Sequence, residues 1–401
     1  MKSQGQAGGV LDAVEPVEAR PPVGRSAAAY IILHLGFACT GAYTALLGAA
    51  LPIIAAHWRL HDDRSGALFL AQFLGAMTGA LVRARHLLPL VAVGFALVGI
   101  TCFSLGHVSA AAALPVLFLY GLGLGIAMTS TSVWMNARFA GSGSALESLN
   151  AVWAAGAAAV PWLVLPWVHP ATLSRFLMGS ALPAFALAAW LFAWAPRGRR
   201  LEASLPACVA ERNTPKAPFF LAVLLGLLSF GAVGTETTLG GWMTTYVARA
   251  GQGSILSISG AASAFWFGLL GSRIAASFLL LGRIRPATLL AASLGLAVVS
   301  ACLLLLTHSP WALLVCAAAC GTGIGPIYPL VLAFALRLFR GRWMFVAAGL
   351  GAASLPWITG LVSRSAASLR LGLAIPLLVL FAMAAALALS MRRLRTGAES
   401  A

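Results

Sequence analysis

The chain has 401 residues, of which 60% are hydrophobic and 9% charged, and a formal net charge of +16. A water-soluble domain carries about a quarter charged residues, so this composition excludes a soluble globular protein. The apolar residues fall in runs of 18 or more, long enough to cross about 30 Å of hydrocarbon as helix, and lack the alternation of barrel strands.

In chain order, residues 1–26 form a tail with Pro and Gly and no apolar core, which predicts a cytoplasmic tail rather than a signal peptide. Six spans follow at 27–56, 65–82, 87–106, 111–136, 146–168 and 172–195, an N-terminal bundle over 27–195. The polar stretch "APRGRRLEASLPACVAERNTPKA" then predicts a cytoplasmic linker over 196–217. Six more spans, at 218–247, 256–281, 287–307, 311–336, 343–363 and 371–391, make a C-terminal bundle over 218–391, and 392–401 is a second cytoplasmic tail.

Lys and Arg orient the chain. With both termini cytoplasmic, the inside segments hold 19 of the 26 basic residues; the outside segments hold six (Arg59, Arg64, Arg175, Arg249, Arg364 and Arg370), and Arg273 lies within a span. This is the positive-inside pattern of a multi-pass protein of the cell inner or plasma membrane. It also explains the net charge by contact with an anionic leaflet, without nucleic acid. Cys39, Cys102, Cys302, Cys316 and Cys320 lie in spans and Cys208 in the linker, which reads as small apolar filler rather than disulfides.

Four stretches of the first half recur in order in the second. "GAYTALLG" at 41–48 matches "GTETTLGG" at 234–241, and "SGA" at 65 matches "SGA" at 259. "GLGLGIAM" at 121–128 matches "GTGIGPIY" at 321–328, and "GAAAVPW" at 156–162 matches "GAASLPW" at 351–357. The offsets stay between 193 and 200 residues, so spans 1–6 repeat as spans 7–12. A parallel repeat of six-span halves is a transporter plan that binds its cargo between the halves near the midplane.

Over essentially the whole chain this pattern resembles the major facilitator superfamily. "GTETTLGGWMTTY", "FWFGLLGSR", "GTGIGPIYP" and "GLGAASLPWITG" are similar to its fucose-permease-like branch of sugar–proton symporters. The resemblance implies an all-α membrane protein of twelve transmembrane helices in two pseudo-symmetric six-helix bundles, with a central cavity lined by spans 1, 4, 7 and 10. Two departures stand out. The loop after span 2 reads "GALVRARHLLP", which keeps Arg83 and Arg85 as gating-loop cations but lacks the superfamily's Asp. Spans 1 and 4 lack the acidic residues of the branch's sugar symporters, which places a sugar cargo in question.

The ionisable groups well inside spans are Glu236, Arg273 and His34. A central membrane charge costs about 2.5–3.5 kcal/mol on insertion scales, so such groups face a partner or a wet cavity. Burial favours a neutral carboxyl and a nearby cation favours the charged one, which suits Glu236 to proton coupling or substrate anchoring; a structural carboxylate pinning span 7 is the other reading. Arg273 either pairs with Glu236 across the cavity or sits near the cytoplasmic gate. Tyr43 holds in span 1 the repeat position of Glu236 in span 7, which suggests two pseudo-symmetric sites on one cavity, against simple packing. His34 reads either as a proton carrier or as a side chain bonded to backbone.

Gln72, Asn150, Trp153, Trp242, Trp266 and Tyr328 are the further cavity-lining candidates, each with interhelical packing as its plainer role. Tyr246, close to a span end, reads as an interfacial aromatic. Pro326 and Pro329 interrupt span 10 and free carbonyls that a cavity can use.

No H-E-x-x-H, C-x-x-C, G-x-S-x-G or P-loop pattern occurs, so the expectation is a non-enzyme with no metal or cofactor. Without a P-loop, uphill transport has to run on an ion gradient or on exchange. The sequence thus predicts a monomeric secondary transporter of a small polar organic solute, sugar-like or another metabolite, coupled to protons and working by alternating access in the lipid bilayer. Two rivals stand beside it: a proton-antiport exporter of drug-like or amphipathic metabolites, and a non-transporting receptor or scaffold of the same fold.

Overall fold

The computed structural model describes residues 27–138, 143–202, 219–250, 254–276, 284–338 and 342–399. The N-terminal tail and Cys208 lie outside them. The first half contains α1 (Ala27–Trp58), α2 (Asp62–Leu81), α3 (Leu87–Leu105), α4 (Ala110–Arg138), α5 (Gly143–Val164) and α6 (Leu173–Glu202). The second contains α7 (Phe219–Ala250), α8 (Ile255–Ala275), α9 (Pro286–Leu306), α10 (Pro310–Ile324), α11 (Ile327–Leu338), α12 (Arg342–Ser365), α13 (Leu369–Gly372) and α14 (Ala374–Glu399).

Predicted span 10 is α10 plus α11, and span 12 is α13 plus α14, so the fourteen helices make twelve crossings. Ten helical stretches are long and apolar enough to cross a membrane. The other two crossings are α2, which begins with Asp62, Asp63 and Arg64, and α5, whose apolar stretch is Ser148–Val164. Two polar segments predicted as linker and tail are in part helical: α6 continues to Glu202 and α14 to Glu399. Both continue helices already nucleated, and adding a turn to a formed helix is easier than starting one.

The break in span 10 follows from its prolines. Neither Pro326 nor Pro329 can donate a backbone N–H, so the carbonyls of Thr322 and Gly325 lose their usual partners four residues on. The helix ends at Ile324 and restarts at Ile327.

The two halves repeat their packing. The pairs α1·α5, α2·α4, α3·α4 and α3·α6 in the first half correspond to α7·α12, α8·α10, α9·α10 and α9·α14 in the second. The repeated glycines sit at these crossings. A Cβ on Gly121 would run into the backbone carbonyl of Gln72 on α2, and one on Gly321 into that of Phe265 on α8. A Cβ on Gly156 would meet the Ala38 carbonyl on α1, and one on Gly351 the Phe230 carbonyl on α7. Lipid tails are as apolar as leucine, so helices associate by close backbone approach, and only glycine permits it here.

Side-chain donors from neighbouring helices reach carbonyls close to the prolines of the repeated "PW" pairs. Pro161 lies inside α5 and Pro356 inside α12. Ser263 Oγ on α8 donates to Ala158 O at 2.7 Å on α5, and Trp242 Nε1 on α7 donates to Pro356 O at 3.0 Å on α12.

Alternating crossings put the start of α1 and the end of α14 at one face, here the terminal face, with the α1–α2, α5–α6, α7–α8 and α12–α13 connections at the far face. The halves meet mainly toward the far face. A Cβ on Gly48 (α1) would lie 2.8 Å from Gly241 Cα (α7), one on Gly66 (α2) 3.0 Å from Trp357 Cα (α12), and Ser259 (α8) reaches Pro161 O (α5) at 3.4 Å.

Steric fit at the crossings gives a graded expectation. Gly121→Ala and Gly321→Ala each push a methyl into a neighbouring backbone and lose about 1–3 kcal/mol, as overpacking does. Gly179→Ala, on α6 with nothing within 4 Å of where a Cβ would stand, gains up to about 1 kcal/mol from helix propensity. Thermal unfolding in detergent checks this order, and equal midpoints for all three variants would contradict it.

Candidate functional site

A cavity of about 610 Å³ lies between the halves on the terminal side of their far-face contacts. That is within the usual range for small-molecule sites. Its wall takes residues from α1 (Thr44, Ala45, Gly48), α2 (from Phe69 to Met77), α4 (Leu124, Met128, Ser132) and α5 (Leu149, Asn150, Trp153). The second half supplies residues from α7 (Val233, Glu236, Thr237, Gly240, Gly241), α8 (Trp266, Arg273), α11 (Tyr328, Pro329, Leu332) and α12 (Phe345, Gly349, Ala352).

Glu236 stands near the middle of α7 and is 7% exposed. Arg273 Nη2 on α8 donates to Glu236 Oε2 at 2.6 Å, and their side chains are 16% and 9% exposed, respectively. Arg273 Nε donates to Gly325 O at 3.1 Å. Gly325 O is one of the carbonyls that the prolines release, since Pro329 has no N–H for it. The broken helix therefore positions the guanidinium, and the guanidinium positions the carboxylate. Glu236 and Arg273 are the only charged residues on the cavity wall among the described residues. Removing either would leave an uncompensated buried charge, a loss of about 3–5 kcal/mol in comparable pairs.

The pair forms between neighbouring helices of one half, not across the cavity, because α7 and α8 are in direct contact. The threonines around Glu236 do not coordinate it. Thr235 and Thr238 bond back to α7 carbonyls at 2.6–3.0 Å, as does Thr237 at 2.9 and 3.1 Å, satisfying their hydroxyls locally.

Gln72, Asn150, Trp153, Trp266 and Tyr328 all lie on the wall. Trp153 of the first half and Trp266 of the second meet edge to face, with ring centroids 5.7 Å apart. Gly240 leaves room for this pair, since a Cβ there would be 2.6 Å from the Trp266 ring. Gln72 Nε2 donates to Thr44 O at 3.2 Å, while Gln72 Oε1 and Trp153 Nε1 are buried without a protein partner.

Three predicted site residues lie elsewhere. Tyr43 is not on the wall: its hydroxyl donates to Ser180 O on α6, and Tyr120 Oη donates to Tyr43 O at 2.6 Å. The repeat equates Tyr43 with Glu236 along the helix, but a phenol reaches past the wall into the bundle, and Thr44 takes the wall position instead. His34 joins α1 to α5 through Ser148 Oγ at 2.9 Å and bonds its own helix at Tyr30 O at 2.8 Å, away from the cavity. A carbonyl only accepts, so Nδ1 carries the proton toward Tyr30 O, and in the neutral ring Nε2 accepts from Ser148. Trp242 is fully buried between α7, α12 and Phe69, its N–H spent on Pro356 O. Tyr246, expected at the interface, is 2% exposed and donates to Leu304 O at 3.0 Å on α9. Arg83 and Arg85 lie in the exposed α2–α3 loop and make no ion pair among the described residues.

A second charged cluster, not anticipated from sequence, joins the halves at the far face. Asp62, three residues before the second predicted span, takes both Arg249 Nη1 and Nη2 at 2.7 Å and also accepts from Ser363 Oγ. Asp62 belongs to the first half, and Arg249 and Ser363 to the second. The pair links residues 187 apart in sequence, so only the acidic start of α2 and the basic end of α7 marked it beforehand. Burial alone would push the Asp62 carboxyl up, but the bonds from Arg249 and Ser363 and the Arg249 charge outweigh it and hold the carboxyl below its ordinary value. Ion pairing that depresses a carboxyl is complete above the ordinary range and is lost as pH falls through the lowered value.

The sequence matches no family model and no curated protein. Solved structures do match across the chain. A bacterial homologue of the human lysosomal transporter Spinster, inward-facing and occupied, superposes with a TM-score of 0.66 at 15% identity, covering 91% of this chain and 97% of that one. The same protein inward-facing and unoccupied gives 0.64 at 16% identity, with coverage of 93% and 98%. A point variant of the E. coli fucose:proton symporter FucP gives 0.59 at 16% identity, with coverage of 90% and 98%. The chain has the fold of major facilitator transporters, the superfamily of FucP, and is a multi-pass membrane protein.

The far-face cluster carries a direct expectation. Spin labels at Ala171 and Ala366, exposed positions of opposite halves at that face, report a single distance in the parent protein near neutral pH. Asp62→Asn removes the carboxylate from a contact worth about 1 kcal/mol after allowing for Arg249 exposure, and adds a longer population. The parent protein gains that population only below about pH 4, beneath the ordinary carboxylate range. An unchanged distance distribution in Asp62→Asn would show that the cluster does not hold the face shut.

Proposed function

We propose that this chain, built on the major facilitator fold, is a secondary transporter that moves a small organic solute by exposing the central cavity to the two faces in turn. The single observation that carries the reading is the Glu236–Arg273 pair, the only charges among the described residues on the wall of a cavity shared by two repeated halves. Positive-inside bias supports a cytoplasmic terminal face, which makes the described state inward-facing, with the far-face contacts as its closed gate. Glu236 is the proton-coupling group in this reading: a carboxylate that exchanges Arg273 for a proton changes charge where no bulk water shields it.

The wall favours an amphipathic cargo over the sugar-like one expected first. Phe69, Phe73, Met77, Trp153, Trp266 and Phe345 all line the cavity, and its lining is mainly apolar. The hydrogen-bonding groups are few, and one of them, the Thr237 hydroxyl, is already bonded to its own helix. A polyol would leave hydroxyls unmatched at about 1–3 kcal/mol each. The same apolar wall is what an exporter of drug-like molecules would offer, so proton antiport stands as the second reading.

A thermal-shift screen of the purified protein against a metabolite panel, on parent and Glu236→Gln at pH 6 and pH 8, tests the assignment. The expected result is a stabilising solute whose shift depends on pH in the parent and not in the variant, followed by counterflow of that solute in proteoliposomes. Identical shifts in both proteins at both pH values would make Glu236 structural. Binding without counterflow would favour a receptor.

A further inference from the structure

The cavity wall holds one permanent cation and one titratable acid, and the cation is the better anchored. Arg273 is tied to Gly325 O through Nε at 3.1 Å, a carbonyl that Pro329 leaves without a helical partner, so the guanidinium stays when Glu236 changes charge. Tyr328 from α11 is the other titratable group on the wall facing Glu236. The wall segments of α1, α2, α4, α5 and α12 bring none, and α10 and α14, which also pack on α7, contribute no residue to the wall.

Charge balance then limits what can share this space. With Glu236 ionised, the wall is neutral, and a cation entering it has to compete with Arg273 for one carboxylate. With Glu236 protonated, the wall carries one unpaired positive charge in a site of low dielectric, which is unfavourable until an anion arrives. A proton and a monoanion entering together restore neutrality, with Arg273 exchanging one carboxylate for another. Guanidinium suits that exchange because it binds planar oxyanions through parallel N–H donors. The aromatic pair Trp153–Trp266 and the neighbouring Phe73 offer the remainder of the solute an apolar seat.

We propose that the cavity takes an amphipathic organic monoanion, such as an aromatic or aliphatic carboxylate, together with one proton, the anion on Arg273 and the proton on Glu236. This inference rests on the transporter reading above and deepens it, since it makes proton and cargo partners rather than competitors. No covalent bond forms or breaks between protein and cargo; one proton moves from solution to Glu236 for each anion bound.

The test uses the full chain in detergent with three probes of one shape and different charge: 2-naphthoate, 2-naphthamide and 2-naphthylmethylammonium. Isothermal titration near pH 7.5 in buffers of different ionisation enthalpy counts the protons taken up on binding. The expected result is that naphthoate binds the parent with uptake of about one proton, its affinity rising by up to about tenfold per pH unit lowered, as reciprocal linkage requires. Glu236→Gln, neutral at every pH, is expected to bind naphthoate at least as tightly as the parent at low pH, with no proton uptake and no pH dependence.

Naphthoate binding without proton uptake, a preference for the amide or the ammonium, or no binding of any probe would each overturn the proposal. The proton count is read on the parent protein, so it stands even where the variant fails to fold. The transporter reading fails separately, on absent counterflow of any solute, and a counterflow solute that is neutral or cationic would sink the inference while leaving that reading intact.

Discussion

A bilayer gives helices no hydrophobic reason to associate, so this chain stays assembled where its backbones come close enough for dispersion and dipole contacts, and the repeated glycines set those places. Gly121 against Gln72 and Gly321 against Phe265 fix the α2·α4 and α8·α10 crossings, while Gly156 and Gly351 fix α1·α5 and α7·α12. Everything else hangs from these crossings. They hold α7 and α8 at a distance where Glu236 reaches Arg273, and they leave the cavity where the halves part on the terminal side.

The prolines act on the same backbone from the opposite direction. Glycine brings two helices together; proline opens one helix and offers its carbonyls to another element. Pro329 leaves Gly325 O for Arg273, and Pro356 leaves Ala352 O, which accepts from Thr237 Oγ1 at 3.4 Å. In lipid such a carbonyl has no water to turn to, and for these two the donor comes from a neighbouring helix. The ion pair on the cavity wall is one member of this set, which is why its guanidinium has a fixed seat and its carboxylate does not.

The two charged clusters differ in what they join. Asp62, Arg249 and Ser363 join the halves where they touch, at an exposed face where an ion pair is weak. Glu236 and Arg273 lie within one half, so their pair does not depend on how the two halves meet. Several residues with suggestive chemistry take structural posts. Tyr43, His34 and Trp242 each spend their polar atoms on neighbouring helices, and a satisfied polar group in a membrane core has little left for a solute.

Composition and apolar run length were enough to establish a helical membrane protein, since lipid admits few other solutions, and the internal repeat was enough to establish two halves. The cost of an intramembrane charge was enough to single out Glu236 and Arg273, and proline's missing N–H to mark the broken tenth span. Side-chain direction was not legible in the same way. A repeat equates positions along a helix and says nothing of which way a long side chain turns, so Tyr43 went into the bundle while Glu236 faced the cavity. Nor was the far-face ion pair visible, because Asp62 and Arg249 are ordinary loop-end charges until folding carries residues 187 apart to 2.7 Å. Which wall a side chain joins, and which charges meet across the halves, depends on helix rotation and packing, and those exist only once all twelve crossings are assembled.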